Sequence, residues 1–250
     1  MPLIAAAIVG LLALAHIAPF PFLLEAFRPA ESLWHVEAAA GAPPTIYLTF
    51  DDGPNPAATP ALLDVLQREG ARATFFLIDA HLTEETAPIV GRMFAEGHAV
   101  GLHADTRAMM LKSPEDLAAT LGAAADRIEA LAGSRPCPLF RPHAGWRSGQ
   151  MYAGLKRLDY RLAGWSWGMW DWNWWRPREA ADLARRLSRR ASAGDIIVMH
   201  DGHHLNPRAD RRYAVEATAL MIPAFRARGF EFGTLCEKQG HSTFRQKRTP

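Results

Sequence analysis

The sequence predicts an α/β fold: about seven β/α units in series, built on a parallel sheet that is open or closed into a barrel. Three observations carry this. Short apolar runs alternate with helical patterns from Ile46 to Thr234. The helices begin and end on local signals. Polar residues recur just past the strands, at Asp51, Asp52, His103, Arg141, Asp171 and His200. In a parallel barrel those strand ends converge on one face, where such folds place their chemistry.

The elements follow in order. Ile46–Phe50 reads as the first strand, ending in Asp51-Asp52-Gly53-Pro54. Thr59-Pro60 opens a helix that Gly70 stops, with threonine as cap and proline at the first helical position. Ala73–Ile78 is a second strand and Glu84–Glu96 a helix. His98–Leu102 is a third strand, which delivers His103. Ser113-Pro114-Glu115-Asp116 starts a helix to Leu131, its cap, proline and first-turn acids agreeing with one another. Pro138–Phe140 is a short strand leading into Arg141, Gly149–Leu158 a helix, and Tyr160–Gly164 a strand before a tryptophan-rich loop. Arg178–Ala191 is an amphipathic helix, Ile196–Met199 a strand delivering His200, Arg212–Arg228 a helix, and Phe230–Thr234 the last strand.

The chain has 250 residues, enough for one large α/β domain, and a net charge of +2, which gives no sign of a nucleic-acid partner. Leu3–Leu24 is apolar except for His16. It is just long enough to span a bilayer, and Ala13-Leu14-Ala15 would equally serve as a signal-peptide cleavage site. A buried core helix is the plainer alternative. The sequence thus divides into a signal or membrane-anchor segment (1–24), a linker (25–44), a catalytic domain (45–237) and a basic polar tail (238–250), with the catalytic domain expected outside the cytoplasm. Cys137 and Cys236 lack metal-ligand spacing, and the sequence leaves open whether they pair.

Two adjacent aspartates at a strand end carry the first chemical signal. From an extended strand they cannot point the same way. One can hold a metal while the other stays free as a base. Close carboxylates raise each other's pKa unless a cation relieves them, so a metal, an arginine or both are expected nearby. His103, after a strand and opposite this pair, is a plausible nitrogen ligand.

Thr49-Phe50-Asp51-Asp52-Gly53-Pro54 resembles the first motif of the polysaccharide deacetylases, carbohydrate esterase family 4. Gly101-Leu102-His103 is similar to the entry of the second motif, and Phe140-Arg141-Pro142-His143-Ala144-Gly145 resembles the third. Asp171-Trp172 resembles the fourth and Ile197-Val198-Met199-His200 the fifth. The resemblance spans about Thr45 to Leu235. It implies a distorted (β/α) barrel of seven or so strands and hydrolysis of a C–N bond that is not a peptide bond, releasing acetate from an N-acetylated glycan. It further implies Asp51 as general base, Arg141 as its partner, His200 as general acid and Asp171 as the carboxylate orienting it. Asp52 and His103 are implied as ligands of a divalent metal, with zinc the expected ion. Trp172 would shape the pocket, and a backbone N–H near Ala144 would help hold the oxyanion.

The chain departs from the family pattern at Arg107, which stands where a second metal histidine is usual. An arginine offers no lone pair to a metal. His143, where the family usually has proline, can enter the site as the missing ligand, ahead of Asp105 and then His203; His204 is a further option. His143 as a pocket residue without metal is the plainer reading. Alternatively Arg107 itself supplies the positive charge. Trp165, Trp167, Trp170, Trp172, Trp174 and Trp175 crowd one loop; about half are expected in the core, and the others, Trp170 among them, would line a sugar groove or a membrane interface. The competing reading of the whole is a glycan-binding barrel that has lost its metal.

Overall fold

The computed structural model describes residues 2–15, 32–38, 41–168 and 179–236. Its elements are helix α1 (Pro2–Ala15), strands β1 (Ser32–Leu33) and β2 (Thr45–Gly53), α2 (Thr59–Arg68), β3 (Ala73–Ile78), α3 (Ala87–Ala95), β4 (Ala99–His103), α4 (Pro114–Ala132), β5 (Leu139–Arg141), α5 (Gly149–Arg157), β6 (Arg161–Ala163), β7 (Trp167–Gly168), α6 (Ala180–Arg190), β8 (Ile196–His200), α7 (Arg212–Arg226) and β9 (Glu231–Phe232). Single 3₁₀ turns cover Asp79–His81, Arg107–Leu111 and His143–Gly145. Among the described residues, no helix is long and apolar enough to cross a membrane.

The strands run β1-β6-β5-β4-β3-β2-β8-β7, with β9 beside the start of β2, and every pair is parallel. The sheet curls into a distorted (β/α) barrel because each strand has two apolar faces. On β2, Ile46, Leu48 and Phe50 pack in the layer beneath the helices, while Tyr47 joins Phe76, Leu139, Ala163 and Ile196 in a smaller second cluster. Period-2 alternation therefore puts Thr49 and Asp51 on the same side of the strand as Tyr47.

The stretch read as a linker contributes to this barrel. Ser32 and Leu33 pair with Leu162 and Ala163. The chain then crosses to the other edge: Ser166 Oγ donates to the Trp34 carbonyl at 2.8 Å, and the Val36 N–H donates to Gly194 O at 2.9 Å. The two sheet edges leave backbone groups to satisfy, and this segment satisfies some of them. Gly164 must be glycine here, since a Cβ would lie 1.8 Å from the Trp34 ring. Cys137 and Cys236 form a disulfide with Cα atoms 6.2 Å apart, linking the approach to β5 with the end of the described chain.

Caps hold where the sequence placed them most plainly. Ser113 Oγ accepts the Asp116 N–H at 3.1 Å, and Gly133 closes α4 at φ 75°. Thr59 differs. It is the first residue of α2 rather than its cap, and its hydroxyl serves the site instead, donating to Asp201 and accepting the Asn55 N–H at 2.9 Å.

Candidate active site

The site sits at the C-terminal ends of β2, β4, β5 and β8. Its foundation is a β-bulge. Asp51 pairs with Phe76 and Gly53 with Leu77, so Asp52 has no partner of its own on β3. An unbroken strand would send the two carboxylates to opposite faces. The extra residue and a left-handed backbone at Asp52 (φ 69°) break that alternation, and both carboxylates are used at the same mouth.

The bulge is braced from several sides. His81 Nδ1 lies 3.1 Å from the Asp52 carbonyl, the geometry of an imidazole N–H donating to it. Gly202 packs so closely that a Cβ would stand 1.9 Å from the same oxygen. A Cβ on Gly53 would meet the Asp201 carboxylate at 2.7 Å. Asn55 Nδ2 donates to Asp201 O and to Ala209 O, both at 2.9 Å. His81 and Asn55 belong to no reading made from the sequence; Thr59 is read there only as a helix cap, and Asp201 as part of either a turn or an extra wall of the site. Asp201 follows His200 directly, which was a usable signal; His81 offered none.

Asp51 is 3% exposed and faces Arg141, which is fully buried. Arg141 Nη1 donates to Asp51 Oδ1 and to Thr49 Oγ1, each at 2.7 Å. Nη2 donates to Gly164 O at 2.8 Å and Nε to Ala163 O at 3.3 Å. The guanidinium also lies over the Phe76 ring, 4.0 Å from its centroid. A buried charge needs such pairing, and here the fork leaves Asp51 fixed in place with its second oxygen available.

On the other side of the bulge, His103 Nδ1 lies 2.8 Å from the Arg141 carbonyl, and its Nε2 lies 3.2 Å from Asp52 Oδ1. An Nδ1–H donor to a carbonyl directs the Nε2 lone pair at the site, the usual arrangement of a metal-ligating histidine. Burial raises the Asp52 pKa, but the His103 side chain and the charges of His103, His200 and His143 outweigh it and hold the carboxyl well below its usual range. Burial depresses His103, but the Asp51 and Asp52 charges prevail and raise it. The two carboxylates draw positive charge to this spot.

His143 approaches from the loop after β5. That loop turns at Ala144, an exposed residue with φ 52°. Burial first, and the charge of His103 next, push the His143 pKa down to about 4, so the imidazole is neutral with a lone pair to offer. One ligand atom from each of Asp52, His103 and His143 lies within 4.8 Å of the others. His143 Nδ1 is buried with no hydrogen-bond partner among the described residues, and Asp52 Oδ1, equally buried, has only the His103 Nε2 contact at 3.2 Å. An oxygen and two imidazole nitrogens at this spacing suit a divalent transition metal with open positions, so the residues present fit the group.

Among the described residues this is the one such cluster. Asp105 is exposed and lies outside it, as do His203 and His204, although His204 packs edge-on against His143 with ring centroids 4.7 Å apart. Arg107 makes no ion pair with Asp51 or Asp52. Its guanidinium lies over the Trp146 ring, 5.3 Å from the centroid, so it does not replace the metal charge between the carboxylates. His200 stands at the end of β8 in register with Asp51. Trp170, Asp171 and Trp172 lie outside the described residues. Trp165 and Trp167 belong to the barrel wall: Trp165 packs edge-on against Trp34, and Trp167 Nε1 donates to Asp195 Oδ2 at 2.8 Å.

A barrel mouth joining a carboxylate–arginine pair to an Asp-His-His cluster defines a metallohydrolase-type site. The comparisons with known proteins make this specific. The sequence profile described as polysaccharide deacetylase matches residues 38–163. A peptidoglycan-N-acetylglucosamine deacetylase of Bacillus cereus is 29% identical over 192 residues, 77% of this chain and 86% of that protein. A chitooligosaccharide deacetylase of Azorhizobium caulinodans is 31% identical, over 74% of this chain and 90% of that one. The solved structure of a family 4 acetyl xylan esterase from Clostridium thermocellum, in complex with a cobalt ion, superposes with a TM-score of 0.68 at 29% identity, covering 77% of this chain and 89% of that one. The chain belongs to the polysaccharide deacetylase family.

Proposed function

We propose that this protein is a metal-dependent hydrolase that removes acetyl groups from the amide nitrogens of an N-acetylated glycan. One observation carries the reading: a buried base–arginine pair, Asp51–Arg141, adjoins a three-ligand cluster, Asp52–His103–His143, at one barrel mouth. A barrel that only bound glycan would have no use for both. The kinship with peptidoglycan and chitooligosaccharide deacetylases supports glycan as the substrate class.

Asp52, His103 and His143 would hold the cation, and zinc fits their mixed oxygen and nitrogen donors. When bound, it supplies Lewis acidity toward the acyl carbonyl. Asp51, fixed by Arg141, takes a proton from the attacking water. A backbone N–H near Ala144 would help hold the oxyanion. His200 returns a proton to the amine nitrogen as the C–N bond breaks, leaving acetate and a free amine. Asp171 is the proposed orienting partner of His200, with Trp170 and Trp172 along the glycan.

The domain is further proposed to act outside the cytoplasm. The Cys137–Cys236 disulfide supports this, because such bonds persist in oxidising compartments. The apolar run from Leu3 is the proposed signal or anchor, testable by fractionating cells and sequencing the mature N-terminus. For the activity, purified protein should release acetate from N-acetylated oligosaccharides, lose that activity to a chelator and regain it with zinc. Protein that neither binds metal nor releases acetate would leave only the glycan-binding reading.

A further inference from the structure

We infer that Arg107 and Trp146 form a carboxylate-binding subsite at the edge of the catalytic mouth, selecting N-acetylated glycans that carry an acidic sugar substituent next to the reacting acetamido group. This rests on the deacetylase reading above.

Arg107 opens the 3₁₀ turn Arg107–Leu111, four residues beyond His103. Trp146 is three residues beyond His143, and its N–H donates to the His143 carbonyl at 3.1 Å, so the indole belongs to the same turn as that histidine. The two loops are joined. The Ala104 N–H donates to Arg141 O at 3.1 Å, and Ser148 Oγ donates to the Met110 carbonyl at 2.5 Å. Arg107 is thereby held beside the cluster, close enough for its charge to help depress His143.

Exposed Arg135, Arg157, Arg208 and Arg212 each have an acidic partner, while exposed Arg186, Arg189 and Arg190 on α6 have none among the described residues and no aromatic ring beneath them there. Arg107 has none among the described residues; it is exposed and lies on the half-buried Trp146 face. Stacking on an aromatic ring restricts a guanidinium without using its N–H fork. The result is a restrained guanidinium with no acidic partner, on the loop that follows His103 and beside the turn that carries His143. Neutral oligosaccharide would leave that fork to water. A carboxylate on the same or the adjacent sugar would engage it through charge-assisted hydrogen bonds.

The test uses the full chain at saturating zinc with two substrates: a neutral N-acetylglucosamine oligomer, and peptide-free peptidoglycan strands, whose alternate sugars carry a carboxylate. Wild type should favour the acidic strand in kcat/KM on the order of 10-fold. Arg107→Gln should bring that ratio close to one, mainly through KM, and 0.5 M salt should shrink it as well, because the pair lies at an exposed rim (Debye length about 4 Å). An equal preference in wild type, or a preference that Arg107→Gln leaves intact, overturns the inference. Equilibrium binding of the same two glycans to metal-free wild type and Arg107→Gln reads the subsite without turnover. Should neither glycan release acetate, the deacetylase reading fails, and the binding ratio still decides the carboxylate subsite.

Discussion

The two halves of the catalytic mouth are built differently. Asp51, His103, Arg141 and His200 stand on strand ends, where parallel pairing fixes each Cα, and Asp52 stands in the bulge directly after Asp51. His143, Trp146, Arg107 and the His203–His204 pair stand on loops or single turns. The strand-borne half is densely bonded: Arg141 alone reaches Thr49, Asp51, Ala163 and Gly164. The loop-borne half is held by ring contacts and a few backbone bonds, and it contains Arg107 and His143, where the sequence departs from the motifs it resembles. Strand positions are coupled through the sheet, so changing one disturbs its neighbours. A loop residue can be exchanged for another, and in the proposed reading His143 takes the ligand role that Arg107 cannot fill.

If that contrast is right, substitutions on strands cost both rate and stability, while those on loops act on metal or substrate alone. The largest effect on turnover belongs to Asp51→Asn. Loss of the base should lower kcat by about 10²–10⁴-fold. It also strips the charge partner from buried Arg141, at a cost of a few kcal/mol, since a broken buried pair costs about 3–5 kcal/mol. Denaturant melts and acetate release measure the two together. A slow enzyme of unchanged stability would show that Arg141 does not depend on Asp51.

His143→Ala is the counterpart on the loop. It should weaken metal binding by more than the roughly 10–100-fold that an outer-shell change costs, and leave the melting temperature of metal-free protein nearly unchanged. Metal titration followed by calorimetry checks both. Unaltered affinity would remove His143 from the ligand set and reopen the choice of Asp105 or His203.

His81→Ala tests the brace. Without its bond to the Asp52 carbonyl, the left-handed residue loses one support and metal affinity should fall about 10-fold. Affinity equal to wild type would mean that the Gly202 contact suffices alone.

The same contrast explains what could be read in advance. The β/α alternation, the α4 cap at Ser113 and the strand ends bearing Asp51, His103, Arg141 and His200 follow from periodicity and local chemistry, and the sequence carries both. The bulge at Asp52 does not. It depends on His81 and Gly202, each remote in sequence, and only the fold brings them to that carbonyl. The brief strand at Ser32–Leu33 is similar: two residues leave no period to detect, and the pairing comes from an open edge at β6. Arg107's inability to bind metal pointed to His143 as a candidate ligand, but only the fold, with its turn at Ala144, brings His143 rather than Asp105 into the cluster with Asp52 and His103.

The smallest effect on turnover is expected at Asp201, which supports the bulge from beneath and touches no reacting atom. It is 1% exposed, its Oδ1 has no hydrogen-bond partner among the described residues, and burial, the leading cause, lifts its pKa to about 7, with the Asp52 and Asp51 charges adding to the rise. The Thr59 hydroxyl opposes this but does not prevail. A carboxyl raised above its unfolded value near 4 keeps its proton in the folded protein over a range where the unfolded chain has lost it. Its contribution to stability is therefore complete below about pH 4 and is lost progressively as pH rises through about 7. Within that window the slope approaches about 1.4 kcal/mol per pH unit for one proton. Asp201→Asn removes the titration and keeps the size of the side chain. Its stability curve, measured on metal-free protein by urea melts between pH 4 and 8, should be flatter than wild type by that slope, with the two curves diverging in favour of the variant toward neutral pH. Parallel curves would mean that Asp201 is ionised in the fold, in which case the bulge holds three carboxylates in close company and the positive charge drawn to His103 serves all of them.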